Sequence, residues 1–314
     1  MKMSTKKVLG LILAGVLAAG SLTACGGGGT AATAADTKAE ATTAAGDAKA
    51  EGDAAADTTG ADSGEKKTLR VAMECAYAPY NWTQPDDSNG AVAIADSNEF
   101  AYGYDVMMAK KICEELGYDL EIVRLDWDSL IPAVTTGKVD CVIAGQSITS
   151  ERLQAVDFTE PYYYATIVTL VKEGSKYADA KSVADLAGAT CTSQQSTIWY
   201  NTCLPQIQDA NILAATASAP DMLMSLNADK CDLVVTDQPT GKGALIAYPN
   251  FKMIEFGGGD ADFQVTDEDI NIGISLKKGN TELKDAINSV LTKMTKDDFS
   301  KMMDEAISVQ PLAN

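Results

Sequence analysis

The stretch Gly145-Gln-Ser-Ile-Thr-Ser-Glu-Arg152-Leu-Gln-Ala-Val-Asp-Phe-Thr-Glu-Pro161-Tyr-Tyr-Tyr164 decides how the chain reads. It follows the apolar run Val139-Asp-Cys-Val-Ile-Ala144, which has strand length and stops at Gly145. Thr149 or Ser150 stands where a short helix would be capped, with Glu151 and Arg152 in its first turn. A strand end, free backbone N–H groups at a helix start and a guanidinium fork together make a site for a carboxylate. Ligands of open α/β sheets bind outside the C-terminal strand ends, which is where this loop falls. Arg152 has a competing use as a surface partner of Glu151 or Glu160, and the stretch alone leaves both open.

Working upstream, Thr68-Leu-Arg-Val-Ala-Met73 reads as a first strand. It runs into Glu74-Cys-Ala-Tyr77-Ala-Pro79-Tyr80, a Pro- and aromatic-rich exit loop. Tyr104 to Leu116 has helical periodicity, with Val106, Ala109, Cys113 and Leu116 on one side and Gly117 at its end. Leu120 to Leu125 is a strand. Asp126 or Asp128 is placed to cap a helix over Ser129 to Thr136. Strand, helix, strand, helix, strand predicts a parallel sheet with right-handed crossovers. Trp127, at a strand-to-helix handover, then falls on the ligand edge.

Downstream, Pro161 to Val171 is extended and aromatic-rich. Ala189 to Ser193 is a strand leading into Gln194-Gln195-Ser196-Thr197 and a helix over Ile198 to Leu204. Asp221 to Ala228 reads as a helix. Cys231-Asp-Leu-Val-Val-Thr236 is a strand ending at Asp237, a carboxylate suited to an ammonium group or to capping the helix after Pro239. Gly257 to Asp269 is an acidic, Gly-rich turn region. Thr281 to Met294 is amphipathic, and Thr295 with Asp298 makes a capping box for a last helix with Phe299, Met302, Met303 and Ile307 inward.

The motif A-G-x-S-I-T-x-E-R-x-x-x-V-D-F-T-x-P-Y-Y resembles the extracellular solute-binding proteins, family 3, of polar amino-acid ABC importers. The likeness runs from about Thr68 to the C-terminus. It implies a two-lobed, type II periplasmic-binding-protein-like α/β fold, each lobe a mostly parallel sheet flanked by helices. Lobe one would take residues 66–163 and 272–314, lobe two residues 167–268. Two hinge crossings would lie near Tyr162–Thr166 and Asp269–Ile272.

The resemblance also implies roles. Arg152 and Thr197 match positions that hold a ligand carboxylate; Asp237, Ser147 and the Gly145 carbonyl match those that hold its ammonium group. Tyr77 matches an aromatic that stacks on ligand, Trp127 one that closes from the other side, and Glu74 one that meets the ligand side chain. Together those three favour a flat cation, arginine first. The family pattern Q-x-G-T-T is altered here: Ser196 replaces the glycine and Ile198 the second threonine. No cofactor or metal is implied. The expected partners are an amino acid and ABC permease subunits.

The N-terminus carries a separate signal. Lys2, Lys6 and Lys7 precede the apolar run Val8 to Ala19, too short for a comfortable membrane span. It ends in Leu22-Thr-Ala-Cys25, which resembles a bacterial lipobox. The expectation is a signal peptide over residues 1–24 and a lipidated Cys25 at the outer face of the cytoplasmic membrane. Residues 25–65 are Gly, Ala, Thr and Asp with scattered Lys and Glu, too poor in large apolar side chains to form a core. Forty such residues make a tether with a reach of roughly 35 Å.

Composition narrows the function further. The net charge is −19 and the chain has no histidine. Nucleic-acid binding needs basic patches and is excluded. Ser–His and Cys–His catalysis are excluded with the imidazole. Cys75, Cys113, Cys141, Cys191, Cys203 and Cys231 form no C-x-x-C pair and read as buried free thiols. An enzyme of dehydratase type on the same fold, using Glu74 or Asp237 as acid or base, is the alternative, and a ligand-sensing module is a third reading.

Overall fold

The computed structural model describes residues 66–311. The proposed signal peptide, Cys25 and the tether to residue 65 lie outside them. In chain order the strands and helices begin with β1 (Thr68–Met73), β2 (Ala76–Tyr77), β3 (Asn81–Gln84), β4 (Val92–Ala93), β5 (Phe100–Tyr102) and α1 (Tyr104–Leu116). Next come β6 (Asp119–Arg124), α2 (Leu130–Thr136), β7 (Cys141–Val142), α3 (Arg152–Ala155), β8 (Val156–Phe158) and β9 (Tyr163–Tyr164). The middle holds β10 (Ile167–Lys172), β11 (Thr190–Thr192), β12 (Asn211–Ile212), α4 (Ala219–Asn227), β13 (Leu233–Asp237), α5 (Gln238–Ala247) and β14 (Phe251–Ile254). The chain then returns through α6 (Asp267–Ile270), β15 (Asn271–Ile272), β16 (Ser275–Lys277), α7 (Thr281–Leu291) and α8 (Lys296–Val309).

Two five-stranded sheets organise these elements, with orders β6-β1-β7-β16-β8 and β12-β11-β13-β10-β14. Each has a parallel core, β6/β1/β7 in one and β12/β11/β13 in the other. Each also carries one reversed strand, β16 in the first and β10 in the second, and beyond it an edge strand, β8 or β14, that runs with the core again. The reversed strands follow the crossings. β10 comes directly after the first crossing and β16 directly after the second. β9 and β15 carry those crossings side by side as an antiparallel pair, Tyr163 opposite Ile272 and Tyr164 opposite Asn271.

The first sheet buries Val71, Met73, Ile122, Val142 and Leu276 without exposure. α1 covers it with Val106, Met108, Ala109 and Ile112, and α7 adds Leu283, Ile287 and Val290. Fully burying each of the Val, Leu, Ile and Met side chains among these contributes about 1.5–3 kcal/mol relative to leaving it in water. All six described cysteines are free and buried among these apolar groups. Burial pushes the Cys75 thiol up to about 12 and the Cys191 thiol up to about 11, so they pack as inert small hydrophobes.

Several local expectations change. A 3₁₀ turn at Trp127–Ser129 precedes α2, and no carboxylate caps it; Asp128 reaches elsewhere. The expected helix from Ile198 is a π-helical turn, Trp199–Cys203, continued by a 3₁₀ turn at Leu204–Gln206. α4 starts two residues before the expected Asp221, because Ser218 accepts from the Asp221 N–H and sets the cap. The acidic turn region ends in structure: Thr266 and Asp269 form a capping box that starts α6. No helix among the described residues is long and apolar enough to cross a membrane.

Candidate ligand site

β1 ends at Met73, and Glu74 and Cys75 turn the chain away from the first sheet. Glu74 is 7 % exposed. Its Oε2 is buried without a hydrogen-bond partner, and so is Nε2 of Gln194, which leaves the end of β11 in the other lobe. Burial raises the Glu74 carboxyl to about 8, helped by the charges of Asp105, Asp126 and Asp128 and opposed by the Gln194 amide. A carboxyl in that state waits for a cation or remains protonated.

β13 ends at Asp237, 1 % exposed, facing the same region from the second lobe. The helix cap foreseen for it is present. Its Oδ1 caps α5 by accepting from the Thr240 N–H at 3.0 Å. Its Oδ2 accepts from the hydroxyls of Tyr80 at 2.8 Å and Tyr77 at 3.3 Å, which come from lobe one. Burial raises the Asp237 pKa, and the bonds from Thr240 and the two tyrosines hold it down. The Thr240 hydroxyl donates to Tyr77 Oη at 3.1 Å, closing a small ring of polar contacts between the lobes.

Tyr77 stacks on Tyr80 with ring centroids 4.8 Å apart. Trp127 lies beneath the Arg152 guanidinium, 5.2 Å from its centroid, and its Nε1 donates to the Gln195 carbonyl at 3.1 Å. Each ring expected to close on a flat ligand group thus has a protein partner of its own. Tyr77 packs on a second tyrosine, and the flat cation recorded over Trp127 is Arg152.

Arg152 opens α3, and Thr149 Oγ1 accepts from its N–H at 3.2 Å. The surface pairing with Glu151 or Glu160 does not occur: no ion pair among the described residues includes Arg152. Its guanidinium donates to two backbone carbonyls, Ser147 at 2.9 Å and Ser196 of the other lobe at 2.9 Å. Burial lowers its pKa to about 10, and Glu151 pulls the other way. A cavity of about 410 Å³ opens beside it, lined by Trp127, Gln146, Ser196 and Thr197 among others. It takes in the Arg152 end of the site but neither Glu74 nor Asp237. Thr197 lines it, yet its hydroxyl is spent on the Gln194 carbonyl at 2.7 Å.

Gly145 explains why this loop can pass so close. Its φ is +62°, and a Cβ there would meet Tyr77 Cε1 at 2.9 Å and Tyr80 at 3.2 Å. Its N–H donates to Tyr162 Oη at 2.9 Å, and that hydroxyl donates to Asp105 Oδ1 at 2.6 Å. The other Asp105 oxygen accepts from Asn81 Nδ2 at 2.7 Å, and Asn81 Oδ1 accepts from the Cys75 N–H at 2.7 Å. One buried carboxyl therefore fixes both lobe-one walls, the Gly145 loop and the Glu74–Cys75 turn. Burial raises Asp105 to about 7, against the bonds from Tyr162 and Asn81. Ser147 bridges to Ile272, which ties the Arg152 loop to the returning crossing.

The site thus brings together Glu74, Tyr77, Gly145 and Asp237 at one end and Trp127, Ser147, Arg152 and Thr197 at the other. Sequence reasoning missed Tyr80, Asp105, Gln194 and Thr240. Tyr80 and Gln194 lie inside stretches already singled out, three residues after Tyr77 and three before Thr197. Asp105 carries no local signal, because its partners are distant in the chain.

The model of the bacterial extracellular solute-binding proteins, family 3, matches residues 69–307. The chain belongs to this family. Among its relatives, the L-arginine-binding protein of Pseudomonas aeruginosa is 28% identical over 229 residues, covering 72% of this chain and 82% of that one. A substrate-binding protein of an amino acid ABC transporter from Streptococcus pneumoniae, solved with L-arginine, is 25% identical with a TM-score of 0.63. That alignment covers 77% of this chain and 94% of the other. An ancestral amino-acid-binding protein described as a precursor of cyclohexadienyl dehydratase is 28% identical, TM-score 0.61, covering 76% and 95%. The family 3 chain described here accordingly has the two-lobed type II periplasmic-binding fold.

Proposed function

We propose that this family 3 chain is the extracytoplasmic substrate-binding lipoprotein of an ABC importer, capturing a polar, arginine-like amino acid between its lobes for delivery to the permease. In this reading residues 1–24 are the signal peptide and Cys25 carries the lipid. Residues 25–65 are the tether, lobe one is 66–163 with 272–314, and lobe two is 167–268. The observation that carries the ligand assignment is the polarity of the site. Arg152, with no carboxylate partner among the described residues, stands at one end. Buried Asp237 and Glu74, one of whose oxygens has no partner, stand at the other.

A zwitterion needs both its poles met in a dry cleft. Arg152 and the Thr197 backbone take the α-carboxylate; Asp237, Ser147 and the Gly145 carbonyl take the ammonium; Glu74 takes a side-chain cation. The arginine-binding relatives support the same ligand class. Calorimetry with arginine, lysine, histidine, glutamine, glutamate and leucine tests this: arginine should bind tightest, and preference for leucine or glutamate overturns it. Cys25→Ser should release the protein from membranes on fractionation.

A second reading is favoured by one observation: a buried carboxyl held near 8 suits a general acid. In that reading a bound amino acid or related acid would be consumed. Recovery of arginine unchanged after prolonged incubation argues for the receptor.

A further inference from the structure

Ser196 stands where the related motif has glycine, and its backbone keeps the glycine conformation, with φ +56°. A side chain there is strained, and left-handed φ is the reason glycine is favoured. The strain has a visible counterpart. Ser196 Oγ donates across the cleft to Asp128 Oδ1 at 3.1 Å, and the neighbouring Gln195 Nε2 donates to Asp128 Oδ2 at 2.5 Å. The Ser196 carbonyl is meanwhile held by Arg152 at 2.9 Å, and the Gln195 carbonyl by Trp127 at 3.1 Å. Lobe one thus grips residues 195–196 of lobe two by four bonds, two to side chains and two to carbonyls. Glycine at residue 196 could keep the carbonyl bond but not the hydroxyl bond.

We propose that Asp128 and the Gln195–Ser196 turn form a latch that holds the two lobes shut over the ligand, with Ser196 a positioning residue that slows ligand release. The inference rests on the lobes closing on a ligand, as proposed above. The latch sits at the rim and hydrogen-bonds neither Asp237 nor Glu74; the Asp128 charge helps raise Glu74, whereas uncharged Ser196 acts on the lifetime of the closed form rather than on ligand chemistry. Open lobes lose all four bonds together. Association, which starts from open lobes, is left unchanged.

The test uses the full-length chain with Ser196→Ala, Ser196→Gly, Asp128→Ala and the Ser196→Ala/Asp128→Ala pair. Arginine dissociation is followed by stopped-flow tryptophan fluorescence, with melting temperatures and a labelled lobe-to-lobe distance measured in parallel. Exposed charge-assisted bonds are modest, so Ser196→Ala should dissociate about three- to tenfold faster with its association rate unchanged. Ser196→Gly should dissociate equally fast while melting higher, because the strain is gone; a merely structural role would not move these two readouts in opposite directions. In the Asp128→Ala background, Ser196→Ala should add little. Unchanged dissociation, or a full additive effect in that background, overturns the latch. If arginine fails to bind the wild type, the ligand reading falls and the lobe-to-lobe distance decides alone. A smaller closed population in Ser196→Ala supports the latch, and identical distributions overturn it.

Discussion

The two ends of the cleft solve opposite problems. At the Arg152 end, a half-buried cation is held by backbone carbonyls and an indole face, and no acid among the described residues pairs with it. At the other end, two carboxyls are almost fully buried, one clothed by tyrosine hydroxyls and one left with an unpartnered oxygen. The cation keeps its charge despite its lowered pKa of about 10, whereas Glu74, near 8, is mostly protonated at neutral pH. One pole is therefore permanently charged and the other conditionally so. In the proposed reading, a ligand's α-carboxylate would meet a ready partner at the first, while its side-chain cation would draw a proton off the second.

The largest effect should come from removing the permanent pole. Arg152→Ala leaves the ligand carboxylate buried without a counter-charge, and breaking such a pair costs about 3–5 kcal/mol. Arginine binding should vanish from calorimetry at micromolar protein. The melting temperature should hold within a few degrees, because Arg152 supports the fold only through two carbonyl bonds and its contact with the Trp127 ring. Arg152→Lys sharpens the point: it keeps the charge but cannot span both carbonyls as the planar fork does. Binding of arginine to Arg152→Ala within a few-fold of wild type would reduce this end to a rim contact.

The conditional pole should show itself in pH. In the proposed reading the ligand cation pairs with the ionised form of Glu74, whose pKa is about 8 without ligand. Below that pH a proton must leave before the cation can pair, so arginine affinity should weaken by up to about tenfold per pH unit as pH falls. Above it, affinity should level off. Glu74→Gln should weaken arginine by more than tenfold, about 1.4 kcal/mol, flatten the pH dependence, and spare glutamine. Equal losses for arginine and glutamine would show that Glu74 does not face the ligand side chain.

The difference between the ends also explains what could be read from the chain. Arg152 was legible because its loop carries a local pattern: strand end, helix start, guanidinium. Asp237 and Glu74 were legible as strand-end acids. Their states were not, because Tyr77 and Tyr80 reach Asp237 across about 160 positions of sequence, 160 and 157 residues away. Asp128 shows the same limit from the other side. Its spacing to α2 fitted a helix cap, yet its carboxyl is used 67 and 68 residues downstream, in the other lobe. The alternation of strands and helices predicted the parallel core of the first sheet, whereas the reversed strands β10 and β16 depend on how the two crossings are seated, which no local periodicity encodes.

The smallest predicted effect separates burial from ligand binding at the conditional pole, since it needs no ligand. Glu74 titrates near 4.5 when unfolded and near 8 when folded. A raised folded pKa means that the folded form holds its proton longer than the unfolded form. The associated stability is full below pH 4.5, is lost as pH rises from there to about 8, and changes no further above 8. Glu74→Gln mimics the protonated carboxyl at every pH, so it should melt like wild type near pH 4.5 and higher than wild type at pH 8. Opening of the lobes lets water reach Glu74 and relieves part of the penalty. A difference of about 1 kcal/mol remains, or 2–4 °C for a body of this size. Asp105, raised to about 7, adds its own loss between pH 4 and 7 in both proteins, and because its charge helps raise Glu74, its ionisation widens the gap between them. Melting curves of the two ligand-free proteins at pH 5, 6.5 and 8 read that difference directly. A gap that stays constant with pH would mean that Glu74 is ionised in the folded chain, and the contrast between the two poles would collapse to two permanent charges.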